Sequence, residues 1–110
     1  MKFAIPLARG VLCNHFGHSE EFAIIDTESG QIKGKELHTP PPHEPGVLPR
    51  WLGELGVKVV IAGGMGRRAL DLFEQKGIQV AVGAPSAPPE TLVEQYLQGN
   101  LITGQNICDH

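Results

Sequence analysis

The stretch Val57-Lys58-Val59-Val60-Ile61-Ala62-Gly63-Gly64-Met65-Gly66-Arg67-Arg68-Ala69-Leu70-Asp71-Leu72-Phe73-Glu74-Gln75-Lys76-Gly77-Ile78-Gln79-Val80-Ala81-Val82 decides the fold. It opens on a β-branched apolar run, Val57 to Ala62, with the length and composition of a buried strand. The glycine turn Gly63-Gly64-Met65-Gly66 breaks that run. From Arg67 to Lys76 the apolar residues Ala69, Leu70, Leu72 and Phe73 recur at helical spacing, and Gly77 ends the helix. Ile78 to Val82 is a second short strand. Beyond a loop at Gly83 to Ala87, Pro88 to Gln98 reads as another helix, with Leu92, Val93, Tyr96 and Leu97 on one face and Gly99 at its end. Strand, helix, strand, helix in this order requires the two strands to be parallel, with helices crossing over them.

Upstream, the pattern changes. Lys2 to Leu7 reads as a strand with Phe3, Ile5 and Leu7 on one face, followed by a loop from Ala8 to Glu20. Glu21 to Asp26 is an apolar strand. The turn Thr27-Glu28-Ser29-Gly30 joins it to a more polar one, Gln31 to Leu37, as an antiparallel hairpin. Gly34 and the charges of this third strand suit a sheet edge. Four prolines between His38 and Gly46 forbid helix there. A helix starts near Leu48, with Pro49 in its first turn and Leu48, Leu52 and Leu55 on one face, and stops at Gly56. The tail from Asn100 to His110 shows no clear element and is expected to be flexible.

The expected fold is therefore α/β: a five-stranded mixed sheet, order 3-2-1-4-5, strand 2 antiparallel, in one domain over 1–110. The order reverses at strand one. In open α/β sheets ligands bind at such a switch point, beyond the carboxyl ends of the strands. The loops 8–20, 63–66 and 83–87 leave the sheet there, and His38 leaves at the same edge.

Composition narrows the function. In 110 residues, 41% are hydrophobic, which is an ordinary globular proportion, and the formal net charge is −3. A negative chain without a basic stripe argues against nucleic-acid binding. No apolar run approaches a membrane span, and the apolar start is too short for a signal peptide, so the expectation is a cytoplasmic protein without membrane contact. Its two cysteines are then read as free thiols or ligands rather than a disulfide.

The residues that carry chemistry are few. Cys13-Asn14-His15-Phe16-Gly17-His18 places a thiol and two imidazoles within six positions, and thiolate and imidazole are ligands for zinc, copper and iron–sulfur species. The spacing matches no zinc finger, and the plainer alternative has His15 capping a turn and His18 exposed. The turn at Gly63, Gly64, Met65 and Gly66 precedes a helix, so its backbone N–H groups and the helix dipole suit an anion, with Arg67 and Arg68 adding charge. It lacks the Lys-Ser/Thr pair of a Walker loop and the full dinucleotide fingerprint. Packing alone is an equal reading of this turn, with Met65 as an apolar plug. Cys108 and His110 form a second Cys/His pair. Eleven extended residues reach up to about 36 Å, enough to return the tail to the crevice without requiring it. His43 reads as solvated, and Trp51 and Tyr96 as packing residues. No orienting group accompanies Cys13 for nucleophilic catalysis, and the first strands carry only Asp26 rather than the carboxylate pair of two-metal chemistry, with Glu20-Glu21 read as a solvated loop end, so no catalytic residue is assigned and the chain is read as not an enzyme.

The order of the N-terminal strand, the loop with His15-Phe16-Gly17 followed by Phe22, the Gly63-Gly64-Met65-Gly66 turn and the strand–helix close resembles the dinitrogenase iron–molybdenum cofactor family. This family includes NifX- and NafY-type carriers, the C-terminal part of NifB, and stand-alone and orange-protein-like members. The resemblance covers nearly the whole chain. It implies a three-layer α/β/α ribonuclease-H-like fold and a carrier or scaffold for a metal–sulfur cluster of iron–molybdenum or molybdenum–copper type, or its precursor. By position, His15 is the family's loop histidine and residues 63–66 its glycine turn, while Cys13, His18 and the Cys108/His110 tail exceed the core motif. The expected metal ligands are Cys13, His15, His18, Cys108 and His110. Gly63, Gly64, Met65 and Gly66 help to hold the cluster. The expected partners are cluster-assembly or acceptor proteins, with the chain a monomer or weak dimer. Two other classes stay open: a cysteine-dependent enzyme or redox sensor using Cys13, and an interaction module using the proline loop.

Overall fold

In the computed structural model, which describes residues 1–13, 19–42 and 46–101, a mixed sheet forms the middle layer. Its strands are β1 (Lys2–Ala8), β2 (Val11–Leu12), β3 (Glu21–Glu28), β4 (Gln31–His38), β5 (Val57–Ile61) and β6 (Gln79–Ala81). The helices are α1 (Val47–Glu54), α2 (Arg67–Gln75) and α3 (Pro89–Leu97). The sheet runs β4-β3-β1-β5-β6, with β2 paired to β1 off this path. β3 is antiparallel to both β1 and β4, whereas β1, β5 and β6 are mutually parallel. Among the described residues the sheet has six strands where the sequence leads to an expectation of five. The added strand, β2, lies inside the segment expected to be loop.

β1, β3 and β5 are apolar on both faces because both are covered. On one face Ala4, Phe22, Ile24, Val57 and Val60 pack with Leu48 and Leu52 of α1 and Phe73 of α2. On the other, Phe3, Ile5, Leu7, Ala23, Ile25, Val59 and Ile61 pack with Leu92 and Val93 of α3. A sheet with helices on both faces reads as near-continuous apolar runs, which is why these strands show so little alternation.

The edge strand β4 is built differently. Its pairing with β3 shifts register between Asp26 and Thr27, so that Asp26 faces Gly34 while Thr27 faces Ile32, and Lys33 is bulged out. The bulge changes which residues face each side. Ile32 packs against the α3 face, while His38 meets Trp51 of α1 on the opposite face, ring centroids 6.2 Å apart. Lys2 ties the layers together at the bottom of the sheet, its Nζ donating to the Leu55 carbonyl at the end of α1 (3.0 Å).

Candidate functional site

The site is built from Pro6. In a strand, the N–H and C=O of one residue point to the same side. The Pro6 carbonyl accepts the Cys13 amide at 2.9 Å, so the Pro6 nitrogen faces β2 as well. Proline has no N–H to give, and the β1–β2 ladder stops at Cys13. The same residue explains why β1 changes partner. It pairs with β5 only through Lys2, Phe3 and Ala4, and with β2 at Leu7 and Ala8. A proline in a strand with neighbours on both sides is tolerated where the ladder already breaks. Here that break parts the carboxyl ends of β1 and β5, at the position where the strand order reverses.

β2 enters the gap by a two-residue turn. Arg9 and Gly10 both have positive φ (57° and 82°), the backbone of a tight hairpin between Ala8 and Val11. The Arg9 amide donates to the Glu20 carboxylate at 3.1 Å, closing the loop's far end onto the turn. Leu12 then donates to the Ala87 carbonyl (3.1 Å), Gly83 to Gly63 (2.8 Å) and Ala84 to Ala62 (3.2 Å). These bonds join the Cys13 segment, the 63–66 turn and the 83–87 loop at the carboxyl ends of the parallel strands.

Cys13 sits at the end of β2 with 8% of its surface exposed. It carries a thiol. Gly63 and Gly64 are buried and Gly66 is exposed. Gly66 is the N-cap of α2, has extended backbone (φ −64°, ψ 153°), and no side chain caps the helix. The first turn holds no acidic residue, while Arg67 and Arg68 are exposed there. The positive end of the dipole is therefore not offset locally, which favours an anion. Met65 is 1% exposed and lies within the core beneath α1 and α2. Its thioether serves that core, and what the turn presents is backbone.

His38 does not join Cys13. Register places Cys13, Pro6, Phe22 and His38 in one row across the sheet. Three strand spacings separate the first from the last, about 14 Å, too far for one metal ion. The imidazole instead lies 3.4 Å from the Glu36 carboxylate and against Trp51. Tyr96 packs edge-on against Phe3 (5.2 Å) and donates its hydroxyl to Gln79 (3.3 Å). Of the other expected ligands, His15, His18, Cys108 and His110 lie outside the described residues, as does His43. Among the described residues no three His, Cys, Asp or Glu side chains form a metal-binding group. None of the described helices is long and apolar enough to cross a membrane.

Sequence reasoning missed the part played by Pro6, Arg9 and Gly10. The available signal was a proline inside an apolar strand, followed by Gly10 between the apolar pairs Leu7-Ala8 and Val11-Leu12. Arg-Gly is a weaker hairpin sequence than Asn-Gly, so the turn is not evident from local preference.

The class defined by this sheet and site has a counterpart among known proteins. Residues 1–99 match the family model of the dinitrogenase iron-molybdenum cofactor proteins, and the chain belongs to this family. It is 32% identical over 106 residues to an uncharacterized protein of Methanocaldococcus jannaschii, MJ0580, covering 92% of this chain and 89% of that one. The crystal structure of PH0822 superposes with a TM-score of 0.85 at 32% identity, covering 94% and 96% of the two chains. The apo form of the orange protein from Desulfovibrio gigas shares the fold at 19% identity, with a TM-score of 0.76 over 96% and 93%.

Proposed function

We propose that this chain is a non-enzymatic carrier or scaffold for an anionic metal–sulfur cluster, of iron–molybdenum or molybdenum–copper type, or for its precursor. The observation that carries this reading is the join at the switch point. The thiol-bearing Cys13 is fixed by Pro6 to the strand end that shares its loops with a helix N-terminus that no side chain caps, in a chain of the iron–molybdenum cofactor family. Thiolate supplies a soft ligand to the metal. The N–H groups of the 63–66 turn and α2, with Arg68, suit the negative charge of bound sulfide. His15 and His18 follow Cys13 closely in sequence and complete the ligand set in this proposal, with Cys108 and His110 closing over the cargo. The ribonuclease-H-like classification belongs to the same reading, as do a cytoplasmic setting and exchange of the cluster with assembly or acceptor proteins. Near-complete burial of Cys13 counts against the alternative of an accessible nucleophile.

Anaerobic purification and reconstitution with iron or copper and thiomolybdate, followed by visible absorption and metal analysis, tests the reading. A coloured protein with stoichiometric metal and acid-labile sulfide is expected. A colourless chain that takes up neither iron, copper nor molybdenum sinks it.

A further inference from the structure

Among the described residues the two edges of the sheet are finished differently, and the difference points to a second copy of this chain. β4 carries Lys33, Lys35 and Glu36, is bulged at Lys33, and is fastened by the Lys35–Glu90 ion pair at 3.0 Å. These are the devices that keep an edge from pairing with another chain. β6, Gln79-Val80-Ala81, has no charge and no bulge, and β5 is its strand partner in the sheet. The Ala81 carbonyl accepts from Ala62 at 2.8 Å, so Ala81 turns its polar groups toward β5. By alternation the N–H and C=O of Val80 point outward. An open groove of about 580 Å³ follows this edge, lined by Leu70 and Glu74 of α2 on one side and Val59 and Tyr96 on the other.

α2, the helix above the groove, is self-complementary. Arg67, Leu70 and Glu74 stand at spacings of three and four, on one face of α2. A two-fold axis through Val80 sets β6 antiparallel to the partner's β6 and α2 antiparallel to the partner's α2. Arg67 then meets the partner's Glu74, each Leu70 lies at the centre, and both relations are reciprocal, as a two-fold contact demands. With α2 seated above the β5–β6 pair and the two β6 strands about 4.8 Å apart, the helix axes come to about 10 Å, a normal packing distance.

We propose that β6 and α2 form a homodimer edge in which Val80 exchanges both backbone hydrogen bonds with Val80 of the second copy and Arg67 pairs with its Glu74, joining the two sheets into one. Sedimentation velocity of the full chain over a concentration series tests this. The mass should rise from one chain to two. Arg67→Glu or Glu74→Arg alone should weaken the dimer by at least about tenfold, the double exchange should restore it, and Val80→Pro should abolish it. Circular dichroism checks each fold, and the charge exchange keeps the test valid if Val80→Pro does not fold. A chain that stays monomeric at every concentration, or a dimer indifferent to all four variants, overturns the proposal.

Discussion

Pro6 and Cys13 show how single residues set this site. A missing N–H at Pro6 ends one ladder, and Cys13 is held where it ends, its amide on the Pro6 carbonyl at 2.9 Å. In the proposed function the thiol supplies the soft ligand, and serine replaces it with a harder, weaker one of nearly the same size. Cys13→Ser should therefore keep the fold and lose at least about nine-tenths of the cluster retained by wild type after reconstitution. Metal and sulfide counted per chain give the answer, and a variant that loads as fully as wild type removes Cys13 from the site. Met65 illustrates the opposite case. It stands in a glycine turn beside the site, yet its side chain is spent on the core.

At the scale of elements, the β1–β2 hairpin matters most, because it delivers Cys13. Gly10 has φ +82° and open space where a Cβ would sit, so Gly10→Ala meets a conformational penalty and no clash. A loss of about 1 kcal/mol is expected in chemical denaturation. The informative consequence is local. A weakened turn frees β2 from Pro6 and Ala87, so the buried Cys13 thiol should alkylate several-fold faster than in wild type. Equal alkylation rates would show that the turn does not position the thiol. Where elements follow their own period, sequence and structure agree closely: α2 was expected over 67–76 and spans Arg67–Gln75, and α1 ends just before Gly56, which has φ +86°. β2 has only two residues. No period can reveal a strand that short, and its pairing with Leu7 and Ala8 supplies the stability its own sequence lacks.

For the whole molecule, the layers are joined across the sheet. Lys35 at the β4 edge reaches Glu90 in the first turn of α3. The Lys35 ammonium, and after it a backbone N–H, hold the Glu90 carboxyl below its ordinary value of 4.5. The depressed folded value means the contribution is present above about 4.5 and fades as pH falls through the folded value. Both side chains are well exposed (36% and 44%), so solvent screening limits the pair to about 0.5 kcal/mol. Lys35→Met should unfold slightly more easily than wild type at neutral pH, and the gap should close in acid. A gap of the same size on both sides of the titration would assign the effect to packing of the lysine stem rather than to charge.

What the sequence by itself determined is everything with a local period. The parallel strand–helix repeat from Val57 to Gly99, the hairpin of β3 and β4, and the helix stops at Gly56, Gly77 and Gly99 follow from side-chain spacing and backbone preference within a few residues. The placing of three loops at one end of the sheet also followed, because parallel strands share a direction. The tertiary structure alone decided which of those residues meet. His38 and Cys13 looked like neighbours on one rim, but the row through Pro6 and Phe22 holds them three strand spacings apart. Cys13 was visible as chemistry, yet its seat depends on Pro6, on Ala87 and on a partner change in β1. Pairing of that kind is a contact between distant segments, chosen by which backbone groups remain unsatisfied once the core has formed. No local pattern records that choice.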